Sequence, residues 1–106
     1  MHVRVYSIDF AEDAIDDVAC FRKAERQLIL DAIDRQLTHE PAVATTNRKR
    51  LRPNRLAEWE LRIGRYRVFY DVMDPDNPET AGIVKIVAVG RKEGNCLLIG
   101  AEEFEL

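Results

Sequence analysis

The spacing of hydrophobic and polar positions changes several times along the chain, and each change predicts an element. From His2 to Ile8 apolar positions alternate with polar ones, the period of a strand. The spacing then widens. Phe10, Ala14, Val18 and Phe21, with Ile15, recur at helical intervals, and Asp9 is placed to cap such a helix. Arg22 and Lys23 mark a bend into a second helix from Ala24 to His39, whose apolar side carries Leu28, Ile29, Leu30, Ala32, Ile33 and Leu37 before Pro41 stops it. Ala42 to Arg55 is polar, basic and broken by Pro53, which predicts a long loop. Trp59 to Val72 holds two runs of aromatic and β-branched residues around Gly64-Arg65, the signature of a tight hairpin. A second loop runs from Asp74 to Gly82. Ile83 to Val89 is then nearly all apolar, as in a strand covered on both faces. After a turn through Gly90 to Asn95, Cys96 to Ile99 reads as a short last strand, and Glu102 to Leu106 as an acidic edge or extension.

The order is α+β: two N-terminal helices packed on a mostly antiparallel four-stranded sheet (β-α-α-β-β-β), one domain over residues 1–106, with a short C-terminal extension. If Gly64 and Arg65 form a two-residue type II′ loop, the hairpin register follows by counting outward. Ile63 then faces Tyr66, Leu61 faces Val68 and Trp59 faces Tyr70 on an apolar side. Arg62 faces Arg67, Glu60 faces Phe69 and Glu58 faces Asp71 on the other. We expect Trp59, Leu61, Val68, Tyr70, Ile29, Ile33, Ile86 and Val87 to share one core. The Arg62–Arg67 pair has two readings. It is bridged diagonally by Glu60, or it is a fork awaiting an anion.

Composition adds one asymmetry. The 106 residues carry a net charge of −3, yet residues 48–67 hold eight basic side chains against two acidic ones, and the rest hold eight against 17. A segment of +6 on a body of −9 predicts a site for a polyanion or an acidic partner. Arg48, Lys49, Arg50, Arg52 and Arg55 on the loop, Arg62, Arg65 and Arg67 on the hairpin, and Arg91 and Lys92 beyond the buried strand border one expected groove, with Arg62 and Arg67 at its floor. Phe69 is the side chain best placed there for base stacking, with Tyr66 and Tyr70 as further aromatics. No apolar run reaches 18 residues, so a cytoplasmic protein is expected. Cys20 and Cys96 suggest neither a disulfide framework nor a zinc site, and no motif calls for a metal or cofactor. Asp9, Glu12, Asp13, Asp16 and Asp17 form an acidic solvated face. His2 and His39 are weak candidates for chemistry.

Asn47-Arg48-Lys49-Arg50-Leu51, Trp59 to Tyr70, and Val87-Ala88-Val89-Gly90-Arg91-Lys92 together resemble the RelE/ParE superfamily of bacterial type II toxins, most specifically in the hairpin Gly64-Arg65-Tyr66-Arg67-Val68-Phe69-Tyr70. The resemblance implies that superfamily's fold, a toxin neutralised by a cognate antitoxin that covers the basic groove, and either a monomer or a toxin–antitoxin hetero-oligomer. RelE-type members cut mRNA on the ribosome without a metal, and the resemblance makes such a ribosome-dependent endoribonuclease the activity expected first. By that pattern Arg67 is the hairpin arginine and Lys92 or Arg91 the later cation. Two lysine positions fall instead on Glu58 and Glu60, and a tyrosine position falls near Leu98. Glu60, Glu58 or His39 would then supply base and acid. ParE-type members share the fold and inhibit DNA gyrase by binding, and a non-toxic binding protein of this fold is a third reading.

Overall fold

A computed structural model describes residues 5–77, 80–100 and 102–105. The chain runs β1 (Tyr6–Phe10), α1 (Glu12–Ala19), α2 (Lys23–Leu37), β2 (Arg48–Arg50), β3 (Trp59–Ile63), β4 (Tyr66–Met73), β5 (Gly82–Glu93), β6 (Cys96–Ile99) and β7 (Glu102–Phe104). Two helices and one mixed sheet appear as expected, but the sheet has seven strands, not four. In it β2-β3-β4-β5-β6-β7 are antiparallel neighbours. β1 instead runs parallel to the first half of β5, pairing Tyr6 with Gly82 through Phe10 with Ile86. Of the three extra strands, β6 is the short last strand read at Cys96–Ile99, and the other two are too short for periodicity to resolve. β2 lies inside the segment expected to be loop, and β7 is built from the acidic tail. The start of the first predicted strand, from His2, lies outside the described residues.

The hairpin register is as counted: Ile63 pairs with Tyr66, Arg62 with Arg67, Leu61 with Val68, Glu60 with Phe69 and Trp59 with Tyr70. Gly64 has φ 57, and no residue type other than glycine takes positive φ among those described, as a type II′ turn requires. Alternation from that turn sends Trp59, Leu61, Val68 and Tyr70 toward the helices. There they meet Ala14 and Val18 of α1, and Ile29, Ile33 and Leu37 of α2, spaced four residues apart. Tyr70 is fully buried and donates its hydroxyl to the Pro41 carbonyl at 2.6 Å. Burial drives its phenol pKa well above the usual range.

The other side of the sheet has a second, smaller core. Phe69, Ala57, Ala88, Leu97 and Ile99 are buried there, with Val87 and Phe104 leaning on them. Two expectations fall with it. Val87 is not in the main core, because a bulge opposite Phe69 and Tyr70 inserts one extra residue into β5 and turns both Val87 and Ala88 to this side. Phe69 is fully buried and unavailable for stacking on a base.

Local caps also differ from those expected. The first helix starts after Ala11, not Asp9, since Phe10 still belongs to β1. Asp17 is not part of a solvated face. Its Oδ2 accepts the Val89 N–H at 3.0 Å, between the β5 residues paired with β1 and those paired with β6. Desolvation there raises its pKa above the ordinary carboxylate value. β6 can lie close beside β5 because residue 90 is glycine. A Cβ there would stand 2.3 Å from the Leu98 carbonyl oxygen.

Helix α2 is fastened to the hairpin tip by Glu25. Its carboxylate accepts the Arg22 N–H at 3.2 Å, the Arg65 guanidinium at 3.3 Å and the Tyr66 hydroxyl. Tyr66 also stands edge-on to Phe21, with ring centres 5.6 Å apart. The Tyr66 hydroxyl first, then the Arg22 amide, hold the Glu25 carboxyl below its usual pKa.

Two outcomes follow for stability. Leu61 is fully buried, so Leu61→Ala should cost about 2–5 kcal/mol, read from urea denaturation. An unchanged midpoint would show that the apolar face is not the core face. Because the folded pKa of Glu25 is depressed, its contribution is present above the unfolded carboxyl pKa and lost as pH falls through the folded value. Tyr66→Phe should therefore lower the melting temperature near neutral pH, and the gap to the parent should shrink in acid. A gap that is constant with pH would assign the loss to packing alone.

Candidate functional site

Opposite the helices, between the 51–54 loop and the β6–β7 hairpin, lies a groove of ≈ 770 Å³. Strand parity builds its floor. Arg62, Arg67 and Glu60 share the side of the β3–β4 hairpin that faces away from α1 and α2, and Lys92 of β5 reaches the same hollow. Lys49, directly opposite Glu60 on β2, lines it too, with Arg50 and Arg52 along one wall. The flanking apolar side chains are Leu51 and Pro53 on the loop and Leu97 and Phe104 on the last two strands.

The wall formed by residues 51–54 is held by one side chain. Asn54 accepts the Leu56 and Ala57 amides at 2.7 and 3.0 Å and donates to the Arg52 and Ala57 carbonyls at 2.7 and 2.9 Å, a turn stabilised by its own asparagine. Sequence reasoning passed over Asn54, Asn95, Leu97 and Phe104 as groove residues. Pro53-Asn54 was the available signal for the first. For Phe104 it was a lone aromatic in an acidic tail.

At the floor the two arginines do not face each other unpaired. Glu60 lies between them. Its Oε1 accepts from Arg62 Nε at 2.7 Å and stands 4.0 Å from Arg67 Nε. Its side chain is only 11% exposed, so this carboxylate is a fixed part of the floor. Arg67 is 14% exposed and anchored further, its Nη1 donating to the Gly64 carbonyl at 2.6 Å and the Tyr66 carbonyl at 2.9 Å. The diagonal bridge is therefore formed, with Glu60 set beside both arginines. Lys49, Arg52 and Lys92 carry no ion pair among the described residues and face solvent.

Several expected groove residues lie elsewhere. Arg48 is buried and turns to the helices, donating to the Val43 carbonyl at 3.0 Å and the Gln36 carbonyl at 2.6 Å, which locks β2 to α2. Arg65 sits at the hairpin tip with Glu25 and lies over the Tyr66 ring at 5.5 Å. Arg91 pairs with Tyr66 across the sheet, on the other side from Lys92, and binds Glu93 at 2.8 Å. Arg55 lines a smaller adjoining hollow with Glu58 and Asp71. Glu58 itself is held by Arg50 at 3.4 Å, and Arg50 also covers the Trp59 ring at 5.8 Å. Among the described residues no cluster of His, Cys, Asp and Glu is arranged to hold a metal ion, and no helix is long and apolar enough to cross a membrane. Cys96 is exposed, and a hydrogen bond to Glu103 first of all raises its thiol pKa, which makes it a poor nucleophile at neutral pH.

Arg67 is anchored by its own bonds to the hairpin backbone. Arg67→Ala should cost about 1.5–3 kcal/mol, the usual worth of hydrogen bonds to a charged group. Denaturation of the variant measures it. An unchanged or raised midpoint would mean that the observed bonds to Gly64 and Tyr66 contribute nothing.

Comparison with known proteins bears on this geometry. The family described as "ParE toxin of type II toxin-antitoxin system, parDE" matches residues 8–95. Among solved structures the fold is similar to one in the toxin–antitoxin complex RelBE2 from Mycobacterium tuberculosis. The TM-score is 0.68 at 21% identity, covering 86% of this chain and 95% of that one. No curated protein matches. The matched segment contains the hairpin, the arginine-rich strand and loop before it, and the long strand carrying Lys92, so the chain belongs to the ParE toxin family of type II toxin–antitoxin systems.

Proposed function

We propose that this toxin arrests growth by holding a target protein, in the gyrase-inhibiting manner of the ParE branch, and not by cutting RNA. The observation that carries this reading is the state of Glu60. Cleavage of RNA by its own 2′-hydroxyl requires a base to take a proton and an acid to return one, both aimed at a single phosphate. Among the described residues the groove lining contains no histidine and no tyrosine, and Glu60 is already hydrogen-bonded to Arg62 and set beside Arg67. A carboxylate whose Oε1 is engaged by Arg62 and set beside Arg67 belongs to the floor's own network and is not aimed at an incoming 2′-hydroxyl. What remains is a rigid cationic floor between apolar walls, which suits binding.

The antitoxin implied by the family would cover this groove with an acidic segment. Six cations and two carboxylates line it, and Leu51, Pro53, Leu97 and Phe104 offer apolar seats beside the charges. A ribosome-dependent nuclease is the second reading. It is favoured by the convergence of Lys49, Arg62, Arg67 and Lys92 on one hollow, an arrangement able to stabilise a charged phosphorane.

Induced expression should arrest growth, and co-expression of the adjacent small gene should relieve the arrest. We expect DNA breaks and filamentous cells while protein synthesis continues. A rapid fall in synthesis with shortened transcripts would establish the nuclease reading in its place. Normal growth at high expression would remove both.

A further inference from the structure

Glu60 has a consequence for what the groove rejects. The floor is the part of the site where cations are held rigidly, since Arg62 and Arg67 stand on paired strands while Arg52 stands on a loop. Two rigid guanidiniums on neighbouring strands would suit a phosphodiester backbone, which is the commonest polyanion in a cell. Yet the carboxylate between them is buried to 8% residue exposure, bonded at 2.7 Å to one and 4.0 Å from the other. An incoming phosphate therefore meets two arginines whose charge is already partly compensated. It also meets a fixed negative charge at the position it would need to occupy. Among the described groove cations only Lys49, Arg52 and Lys92, all exposed, remain unpaired.

We propose that Glu60 is a specificity-determining residue. It acts as a built-in anion that keeps nucleic acid out of the groove and reserves the site for a protein partner that engages Lys49, Arg52 and Lys92 from above. This rests on the binding mode proposed above but concerns the ligand class alone. The carboxylate selects by charge and by position. It satisfies the guanidiniums in the folded state, so a single peptide carboxylate can join the three free cations, whereas a phosphodiester chain laid along the floor would have to displace Glu60 or lie against it.

The idea is open to a direct titration. Fluorescence anisotropy with a labelled twelve-nucleotide single-stranded RNA would be measured on the parent, Glu60→Gln and Glu60→Asp between 50 and 200 mM salt. With three free cations, the parent should show a slope of log affinity against log salt of about −2, from roughly 0.7 per phosphate contact on a single strand. Glu60→Gln frees two more, so its slope should approach about −3.5. Its affinity at the lowest salt should rise at least about tenfold, and its RNA affinity should exceed that of Glu60→Asp, which keeps the charge and should behave as the parent.

A parent that already gives the steeper slope would overturn the proposal, with no need for any variant to fold. So would a folded Glu60→Gln protein whose RNA affinity stays within twofold of the parent's. If growth arrest by the parent still proceeds through DNA breaks after either of those results, the binding mode stands and the selectivity role of Glu60 alone has failed. Arrest with neither DNA breaks nor transcript cleavage, with the parent slope at about −2, would mean the reverse, that the selectivity role stands and the binding mode has failed, whereas transcript cleavage would overturn both.

Discussion

Gly64 and Arg65 close the β3–β4 hairpin in two residues, and that length sets the parity of every side chain from Trp59 to Tyr70. One residue more or fewer would turn one strand over relative to the other, sending either Trp59 and Leu61 or Val68 and Tyr70 to solvent and Arg62 or Arg67 toward the helices. The same parity places Glu60 diagonally between the two arginines and brings Lys49 of β2 opposite it. Core and groove are thus two faces of one register. The contacts on the helix side, with Leu61 and Val68 fully buried, hold that register far more firmly than any surface ion pair could.

The rest of the sheet serves to enclose what the hairpin starts. β5 is long enough to take β4 along one edge and to share the other between β1 and β6, with Asp17 accepting the Val89 amide. Gly90 lets β6 lie close against it. The bulge opposite Phe69 turns two successive β5 residues toward the second core. That core in turn supports Leu97 and Phe104 as one wall of the groove. The strands β6 and β7 that carry this wall lie beyond the segment matched by the toxin family.

Much of this was legible in the sequence because it depends on strong local patterns. The hairpin, both helices and the buried strand rest on turn chemistry or sustained periodicity, and the family resemblance rests on the motif residues themselves. What was not legible depends on pairing at a distance. Three residues of β2 carry no period of their own and become a strand only because β3 offers an edge. The bulge in β5 is invisible in an apolar run, which is why periodicity alone puts Val87 in the wrong core. Arg48, Arg65 and Arg91 look like groove cations by composition, yet each has a partner away from the floor: backbone carbonyls for Arg48, Glu25 for Arg65 and Glu93 for Arg91. Charge runs show that cations are near one another in the chain, not which of them remain free.

In the groove that distinction is plain: two arginines on paired strands are held internally by Glu60, and three exposed cations carry no ion pair among the described residues. A double-mutant cycle on folding stability, using Glu60→Gln and Arg62→Gln singly and together, tests this most directly. Adjacent members of a real network couple by about 0.5–3 kcal/mol, and the Oε1–Nε contact of 2.7 Å predicts favourable coupling within that range. Additive losses, with coupling near zero, would mean that Glu60 does not hold Arg62 in solution, and that the floor of the groove is open to an external anion after all.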